Sequence, residues 1–376
     1  MKIKRYKKIY PLALLWQYFS KDNFLDLLHI RRKPRVIQLP ITSRCNSRCC
    51  TCNVWKLKEN VDIDALKLRE IFSNSYFDQV RSVGINGGEI TLVQSFDEIL
   101  EAVLTLKNLR NIYLISNGLL PNKLLPLLER SKKKCNEKGV HLNIAISIDG
   151  IGEVQANVRG VPHCFEKSKQ LLDEFRDNQS RYADNVVIGC TLSQKNIPYV
   201  VQTDEYLKQY PFYVQYHLAV PNKRIHTYSD YDNYYILNDE HSRLLAEEFF
   251  LSKYHETRWK DCFSYFCQYY FLKTHGQKRL SMCSYKYRDI TIDENLKFYL
   301  CATASDELGD GNTEPVEEII EARRFKALEK KTLTNCDQCI HYASNNATLR
   351  GILLMLREGF RDNWDWHKKF KIRRRL

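Results

Sequence analysis

The spacing of hydrophobic and polar positions changes repeatedly from residue 36 onward. Short runs rich in β-branched and aliphatic residues predict six strands, at 36–41, 82–86, 112–116, 142–148, 186–192 and 212–218. Longer amphipathic stretches between them predict helices, among them 94–109, 121–137, 164–177 and 198–209. Strands that alternate with helices are typical of βα units on a parallel sheet. We therefore predict an α/β fold, either a partial barrel or a doubly wound sheet.

Glycine and polar residues directly follow the first four predicted strands. They read TSRCNSRCCTC after the first strand, GGE after the second, NG after the third and DG after the fourth. Parallel α/β folds bind their ligands at the carboxyl ends of the strands. One end of the sheet is therefore the predicted active face, and a dense group of cysteines lies on it.

The amino-acid composition indicates the cellular compartment and the chemical role of the cysteines. The chain has 376 residues, of which 44% are hydrophobic and 13 are cysteine. We find no apolar run of the roughly 20 residues that a membrane-spanning helix needs, and no secretory signal. In a reducing cytoplasm, cysteines are more often metal ligands or free thiols than disulfides. We therefore expect a cytoplasmic protein whose cysteines bind metal or remain free.

The net charge of +13 is concentrated at the two ends of the chain. Residues 1–35 are predicted to form a basic amphipathic helical segment, and residues 346–376 a C-terminal helix and basic tail. Two interpretations of the first segment remain open: a helix packed on the outside of the fold, or an interfacial helix whose basic residues contact anionic lipids as a peripheral membrane anchor. We see no nucleic-acid-binding module, so we do not expect nucleic acid as a partner.

The first cysteine group contains Cys45, Cys49, Cys50 and Cys52. Without Cys50, the remaining three read C-x3-C-x2-C. A structural zinc site usually takes four protein ligands, whereas three thiolates on an iron–sulfur cluster leave one iron open. This spacing resembles the signature of the radical S-adenosylmethionine (SAM) enzymes, with Cys50 as a bystander.

The resemblance implies a fold and a chemistry. The fold would be a partial (β/α)6 TIM-like barrel over residues 36–235. Cys45, Cys49 and Cys52 would hold a 4Fe–4S cluster that binds SAM, and an electron donor such as flavodoxin or ferredoxin would reduce it. Reductive cleavage of SAM would give a 5′-deoxyadenosyl radical, which abstracts a hydrogen atom from the substrate.

Further motifs resemble the SAM site of this family. Gly87, Gly88 and Glu89 would hold the methionine ammonium group, and Ser116 and Asn117 would face the cofactor. Each of these motifs is also a common strand-ending turn.

The segment SIDG followed by RG matches the branch of the family that carries extra clusters. Ser147 would lie near the ribose or methionine end of SAM, and Arg159 would pair with its carboxylate. Asp149 either belongs to this site or caps the next turn. The aromatic residue that the family commonly places before the third cysteine is Thr51 here, so we expect either Trp55 to stack on adenine or the contact to be absent.

The C-terminal part contains a second cysteine pattern, C-x17-C-x34-C-x2-C, formed by Cys283, Cys301, Cys336 and Cys339. The segment DITIDENLKFYLC between the first two predicts a β-hairpin that turns at DEN. A hairpin flanked by cysteines resembles the twitch domain, a short form of the SPASM domain. We therefore predict a small C-terminal α+β iron–sulfur domain over residues 236–345 with one auxiliary 4Fe–4S cluster. A structural zinc site on the same four cysteines remains the alternative.

The substrate does not follow from the sequence. Peptides, sugars and lipid-linked glycans are the classes we consider, with oxidation, epimerisation or crosslinking as the outcome. Cys190 is a weak candidate for a hydrogen-atom donor, because most free cysteines are small buried hydrophobic residues; Cys262 and Cys267 are weak candidates for gating the substrate pocket. The alternative to an enzyme is a non-catalytic iron–sulfur or zinc binding protein.

Overall fold

The computed structural model describes residues 31–256, 262–333, 336–341 and 347–358. The predicted basic N-terminal segment, up to residue 30, and the basic tail from residue 359 lie outside the described residues.

All six predicted strands are present, and a further three follow them. The strands are β1 (Val36–Pro40), β2 (Ser82–Asn86), β3 (Asn111–Ser116), β4 (His141–Ser147), β5 (Asn185–Leu192), β6 (Tyr213–Leu218), β7 (Ile290–Ile292), β8 (Lys297–Tyr299) and β9 (Glu307–Asp310).

Helices connect the parallel strands and cover one face of the sheet. In the first part of the chain they are α1 (Ala65–Ser73), α2 (Phe96–Val103), α3 (Pro121–Glu137), α4 (Glu153–Arg159), α5 (Cys164–Tyr182) and α6 (Val200–Leu207). The later helices are α7 (Glu240–Glu256), α8 (Cys262–Lys273), α9 (Val316–Ile319), α10 (Ala322–Leu333) and α11 (349–358).

The nine strands form one sheet in the order β6-β5-β4-β3-β2-β1-β7-β8-β9. Strands β1 to β6 pair in parallel, and β7 pairs in parallel with β1 through Ile37 and Ile290. The predicted hairpin is confirmed as β7 and β8, which are antiparallel. The fold is therefore a mostly parallel α/β sheet of the partial TIM-barrel type, and the C-terminal hairpin continues that sheet from β1.

Alternating side chains divide the two faces of the sheet. On β3, Ile112 and Leu114 are completely buried in the core under the helices, while Tyr113 and Ile115 point to the inner face and are 47% and 41% exposed. Burying one such aliphatic side chain contributes about 1.5–3 kcal/mol. A second core joins β5 and β6 to α7, α8 and α11. The helices thus fix the sheet from outside, and the inner face stays open beside the active end.

Candidate active site

The first cysteine loop follows β1 and is bonded to the GGE segment that follows β2. Gly88 N donates to the Thr42 carbonyl at 2.7 Å, and Glu89 N donates to the Arg44 carbonyl at 2.8 Å. Gly87 has a φ of +128°, and a Cβ on Gly88 would lie 1.9 Å from the Arg44 oxygen. The two glycines are therefore required because the cysteine loop passes directly over them.

The other side of the loop rests on the C-terminal end of α4. Arg48 N donates to the Arg159 carbonyl at 2.8 Å, and Cys50 N donates to the Val158 carbonyl at 2.9 Å. Gly160 ends the helix with a φ of +64°, and a Cβ there would lie 2.5 Å from the Arg48 oxygen. The RG pair thus supports the cysteine loop through its backbone.

Asn117, which follows β3, fastens the loop from a third direction. Its Nδ2 donates to Asn46 Oδ1 at 2.7 Å and to Ser47 Oγ at 3.0 Å, and lies 4.0 Å from Cys45 Sγ. The segments after β2 and β3 and the C-terminal end of α4 therefore hold the loop in place.

The three cysteines of the C-x3-C-x2-C pattern are half-buried free thiols whose charges influence one another. Burial raises the pKa of Cys45 to about 12, and negative charge on Cys49 and Cys52 adds to this rise. Burial also raises the pKa of Cys52 to about 11, again with a contribution from Cys49. Arg159 Nη1 donates to Cys49 Sγ at 3.7 Å.

Cys50 has different surroundings. Burial raises its pKa to about 11, followed by the charge of Asp149, while a hydrogen bond with Ser193 beyond β5 opposes the rise. Cys50 therefore lies against the end of β5, and its role as bystander stays a prediction.

The Glu89 carboxylate is buried in a complete hydrogen-bond network. It accepts from Ser116 Oγ at 2.8 Å, Asn117 N at 2.8 Å and Thr91 Oγ1 at 2.9 Å. Burial raises the Glu89 pKa, and these hydrogen bonds oppose the rise. Glu89 and Ser116 thus join the GGE and SNG segments, and the predicted contact of Glu89 with the methionine ammonium group stays a prediction.

Asp149 and Arg159 form a buried ion pair at 2.7 Å between the end of β4 and α4. The Thr191 amide donates to Asp149 Oδ1 at 2.8 Å, so the pair also reaches the end of β5. The Arg159 Nε is buried and has no hydrogen-bond partner in the part of the chain that the structure describes. Ser147 lies half-buried at the end of β4, beside this pair.

Three other cysteines singled out from the sequence lie in the second core. Cys190, Cys262 and Cys267 are 5% exposed or less. Cys190 belongs to the alternating positions of β5 that face the helices rather than the inner face. Packing accounts for all three positions. Trp55 is half-buried beside Lys56, and its Nε1 has no hydrogen-bond partner within the described ranges.

The four C-terminal cysteines lie on three segments of the chain, and their charges influence one another. Burial raises the pKa of Cys336 to about 12, and negative charge on Cys283, Cys301 and Cys339 contributes to the rise. The Ala304 amide donates to Cys301 Sγ at 3.4 Å. The fold therefore gathers a second set of thiols beside the hairpin.

Sequence reasoning missed a group of residues between the two sets of thiols. Arg224, in the loop after β6, forms an ion pair with Glu294 of the hairpin turn at 2.9 Å. Asn53, next to Cys52, bonds to Asp230 at 2.8 Å. The position of residues 222–230 after a strand was the available signal, but the loop carries no family motif.

Comparison with known proteins defines the class. Residues 39–203 match the model of the family described as the Radical SAM superfamily. The GTP 3′,8-cyclase of Aliarcobacter butzleri is 25% identical over 194 residues, which are 49% of this chain and 55% of that protein. The chain therefore spans about half the length of this curated relative.

Two solved structures show the same fold at low sequence identity. The polyhistidine-tagged anSMEcpe with bound AdoMet has a TM-score of 0.56 and 16% identity, covering 83% of this chain and 88% of that chain. SuiB from Streptococcus suis, bound to the precursor peptide SuiA, has a TM-score of 0.55 and 13% identity, covering 81% of this chain and 69% of that chain.

These observations identify residues 39–203 as matching the radical SAM domain, and the solved structures show that the chain shares the fold of such proteins. Enzymes of this class use SAM and a 4Fe–4S cluster. Half-buried thiols in a firmly held loop, with a guanidinium group donating to one of them, fit a thiolate-bound cluster.

Proposed function

We propose that Cys45, Cys49 and Cys52 hold the 4Fe–4S cluster that binds SAM, and that the protein uses it to abstract a hydrogen atom from a substrate. The observation that carries this proposal is that one loop presents all three thiols and is fastened by the segments after β2 and β3 and by the end of α4. When bound, the cluster supplies the electron that cleaves SAM to methionine and a 5′-deoxyadenosyl radical.

The residues around the thiols have separate roles in this proposal. Gly87 and Gly88 let the backbone approach the cofactor, and Glu89 holds the methionine ammonium group. Arg159 has one side-chain nitrogen left for the SAM carboxylate, since Asp149 and Cys49 engage the other two. Ser116, Asn117 and Ser147 line the same end of the sheet; Asn117 and the RG backbone keep the loop in position.

For the C-terminal thiols we propose one auxiliary 4Fe–4S cluster on Cys283, Cys301, Cys336 and Cys339. The influence of their charges on one another supports a shared metal site, and the upstream match to the radical SAM family supports iron over zinc. This region would be the twitch-like domain of residues 236–345. The cluster would transfer electrons or anchor the substrate.

For the substrate we propose a peptide rather than a sugar or a lipid-linked glycan. The inner face of the sheet presents Tyr113, Ile115 and Tyr213, which are 41–47% exposed, so an extended chain with apolar side chains fits there. The structural neighbour SuiB binds a precursor peptide, and anSMEcpe has been solved with a peptide at a TM-score of 0.51. The electron donor would be a flavodoxin or ferredoxin.

Within the described ranges, every helix is too short or too polar to cross a bilayer.

The test is anaerobic reconstitution with iron and sulfide, followed by addition of SAM and dithionite. We expect 5′-deoxyadenosine to form in the wild type and to fall to background in Cys52→Ala. A pool of random peptides should stimulate its formation more than a panel of nucleotide sugars. If the iron-loaded wild type forms no 5′-deoxyadenosine, the proposed radical chemistry is wrong. If only the nucleotide sugars stimulate its formation, the proposed peptide substrate is wrong.

A further inference from the structure

The loop after β6 connects the two sets of thiols through direct hydrogen bonds. On one side, Asn53 Nδ2 donates to the His226 carbonyl at 3.1 Å and to Asp230 at 2.8 Å. On the other side, Lys223 N donates to the Thr303 carbonyl at 2.7 Å, two residues beyond Cys301. Residues 222–230 are therefore held between the residue after Cys52 and the loop of Cys301.

Arg224 and Glu294 form the buried ion pair of this connection. Arg224 Nη1 contacts both Glu294 carboxylate oxygens, at 2.9 and 3.2 Å. The two side chains are only 10% and 3% exposed. The Arg224 Nε is also buried and has no hydrogen-bond partner among the described residues. Glu294 lies in the turn between β7 and β8, so the pair joins the barrel to the hairpin.

The Arg224–Glu294 pair lies beside the first cysteine loop. Because β7 pairs in parallel with β1, the turn that carries Glu294 lies next to the residues that follow β1. Arg224 is two residues before His226, whose carbonyl accepts from Asn53 Nδ2. Buried charges are weakly screened, so their influence extends further than that of surface charges. Nearby charge is one of the main determinants of the reduction potential of an iron–sulfur cluster.

We propose that the Arg224–Glu294 pair sets the reduction potential of the cluster held by Cys45, Cys49 and Cys52, with Arg224 raising it and Glu294 lowering it. This inference rests on the proposed function, since it requires the cluster. Reduction adds a negative charge, which the Arg224 guanidinium stabilises. Loss of Arg224 disfavours reduction and leaves Glu294 unbalanced, whereas loss of the Glu294 charge leaves Arg224 unneutralised and favours reduction.

The test is a redox titration of the reconstituted full chain, followed by electron paramagnetic resonance. The signal to follow is the one that SAM alters, because it reports the cluster with an open iron. We expect Arg224→Met to reduce the fraction of reduced cluster about tenfold at a fixed potential, equivalent to about 59 mV for a one-electron couple. Glu294→Gln should shift the same equilibrium the other way, and Arg224→Lys should stay near the wild type.

The controls separate charge from packing. Arg243 is another buried arginine, paired with Glu247 on α7, and Arg243→Met should leave the potential unchanged. If the pair had a purely structural role, Arg224→Met and Glu294→Gln would shift the reduction potential in the same direction. That result would overturn the proposal. If the Arg224→Met variant loses iron, the test depends on the near-isosteric Glu294→Gln variant. A reduction potential of Glu294→Gln that is equal to or lower than that of the wild type contradicts the inference. Wild type without a SAM-sensitive signal would instead mean that the proposed function has failed.

Discussion

The two sets of thiols are built in different ways. The first set lies within eight positions of one loop, and hydrogen bonds from residues after β2, β3 and β4 fasten that loop. The second set extends from Cys283 to Cys339, and three separate segments contribute to it. The first site is therefore formed by neighbours along the active end of the sheet, whereas the second depends on contacts between distant parts of the chain.

The electrostatic surroundings differ as well. Two buried arginines, Arg159 and Arg224, lie beside the first set, and each pairs with a buried carboxylate. Beside the second set, Arg279 donates to backbone carbonyls, those of Ser281 and Cys339. The first site thus has paired charges, and mutations can make the local charge either more positive or more negative.

The largest expected effect separates ligand from bystander within the first loop. Cys45→Ala should lose about four irons per chain and all 5′-deoxyadenosine formation, because one thiolate of the cluster is missing. Cys50→Ala, changed in the same loop, should retain both. Iron analysis and chromatography of the SAM products measure the two outcomes. Equal losses of iron and of 5′-deoxyadenosine in both variants would mean that cluster binding depends on the intact loop and not on the three proposed ligand thiols.

Removal of a thiol from the second set should distinguish the functions of the two sites. Cys301→Ala should also lose about four irons per chain, yet keep the 5′-deoxyadenosine formed without substrate, because the first loop does not depend on Cys301. Substrate conversion should be lost. If metal analysis of the wild type finds zinc in place of the second four irons, this site is structural zinc instead.

A smaller effect tests how tightly the first loop is held. In Gly88→Ala the new methyl group would meet the Arg44 carbonyl at 1.9 Å, which should destabilise the metal-free protein by about 3 kcal/mol. Gly189→Ala is the matched control, because nothing lies within 4 Å of its Cβ position, and it should change stability by less than about 0.5 kcal/mol. Urea unfolding measures the stability of both variants. Similar midpoints would show that the cysteine loop can shift to accommodate the added methyl group.

The smallest effect concerns the junction between the barrel and the helices that lead to the second region. Asp204 on α6 accepts from Tyr216 at 2.8 Å and pairs with Lys253 of α7. Burial alone would raise the Asp204 pKa, but the hydrogen bond and charge of Lys253 outweigh it, so the pKa is lowered. Asp204→Asn should cost about 1–2 kcal/mol at neutral pH.

The size of this effect depends on pH. Because the folded-state pKa of Asp204 is depressed, its contribution is complete above the ordinary value of 3.8 and is lost as the pH falls through the lower folded-state pKa. Urea unfolding of wild type and variant should therefore converge in acid. A difference that stays constant down to the lowest pH would contradict the charge-based explanation.

The strands of the barrel were predictable because each combines a buried periodic pattern with a polar turn. The end of β3, for example, is marked by Ser116 and Asn117. The pairing of Ile37 with Ile290 was not predictable, since 253 residues separate partners that carry no mutual signal. The Arg224–Glu294 contact was missed for the same reason. The hydrogen bonds of Glu89 to Ser116 and Asn117 also required the structure, because two different turns must meet.

The central claim is that Cys45, Cys49 and Cys52, and not the C-terminal thiols, hold the cluster that binds SAM. The most direct measurement is electron paramagnetic resonance of the reduced, reconstituted protein with and without SAM. We predict that SAM changes the spectrum of the wild type and of Cys301→Ala, and leaves that of Cys45→Ala unchanged. A spectrum that still responds to SAM in Cys45→Ala, or no longer responds in Cys301→Ala, would contradict the assignment.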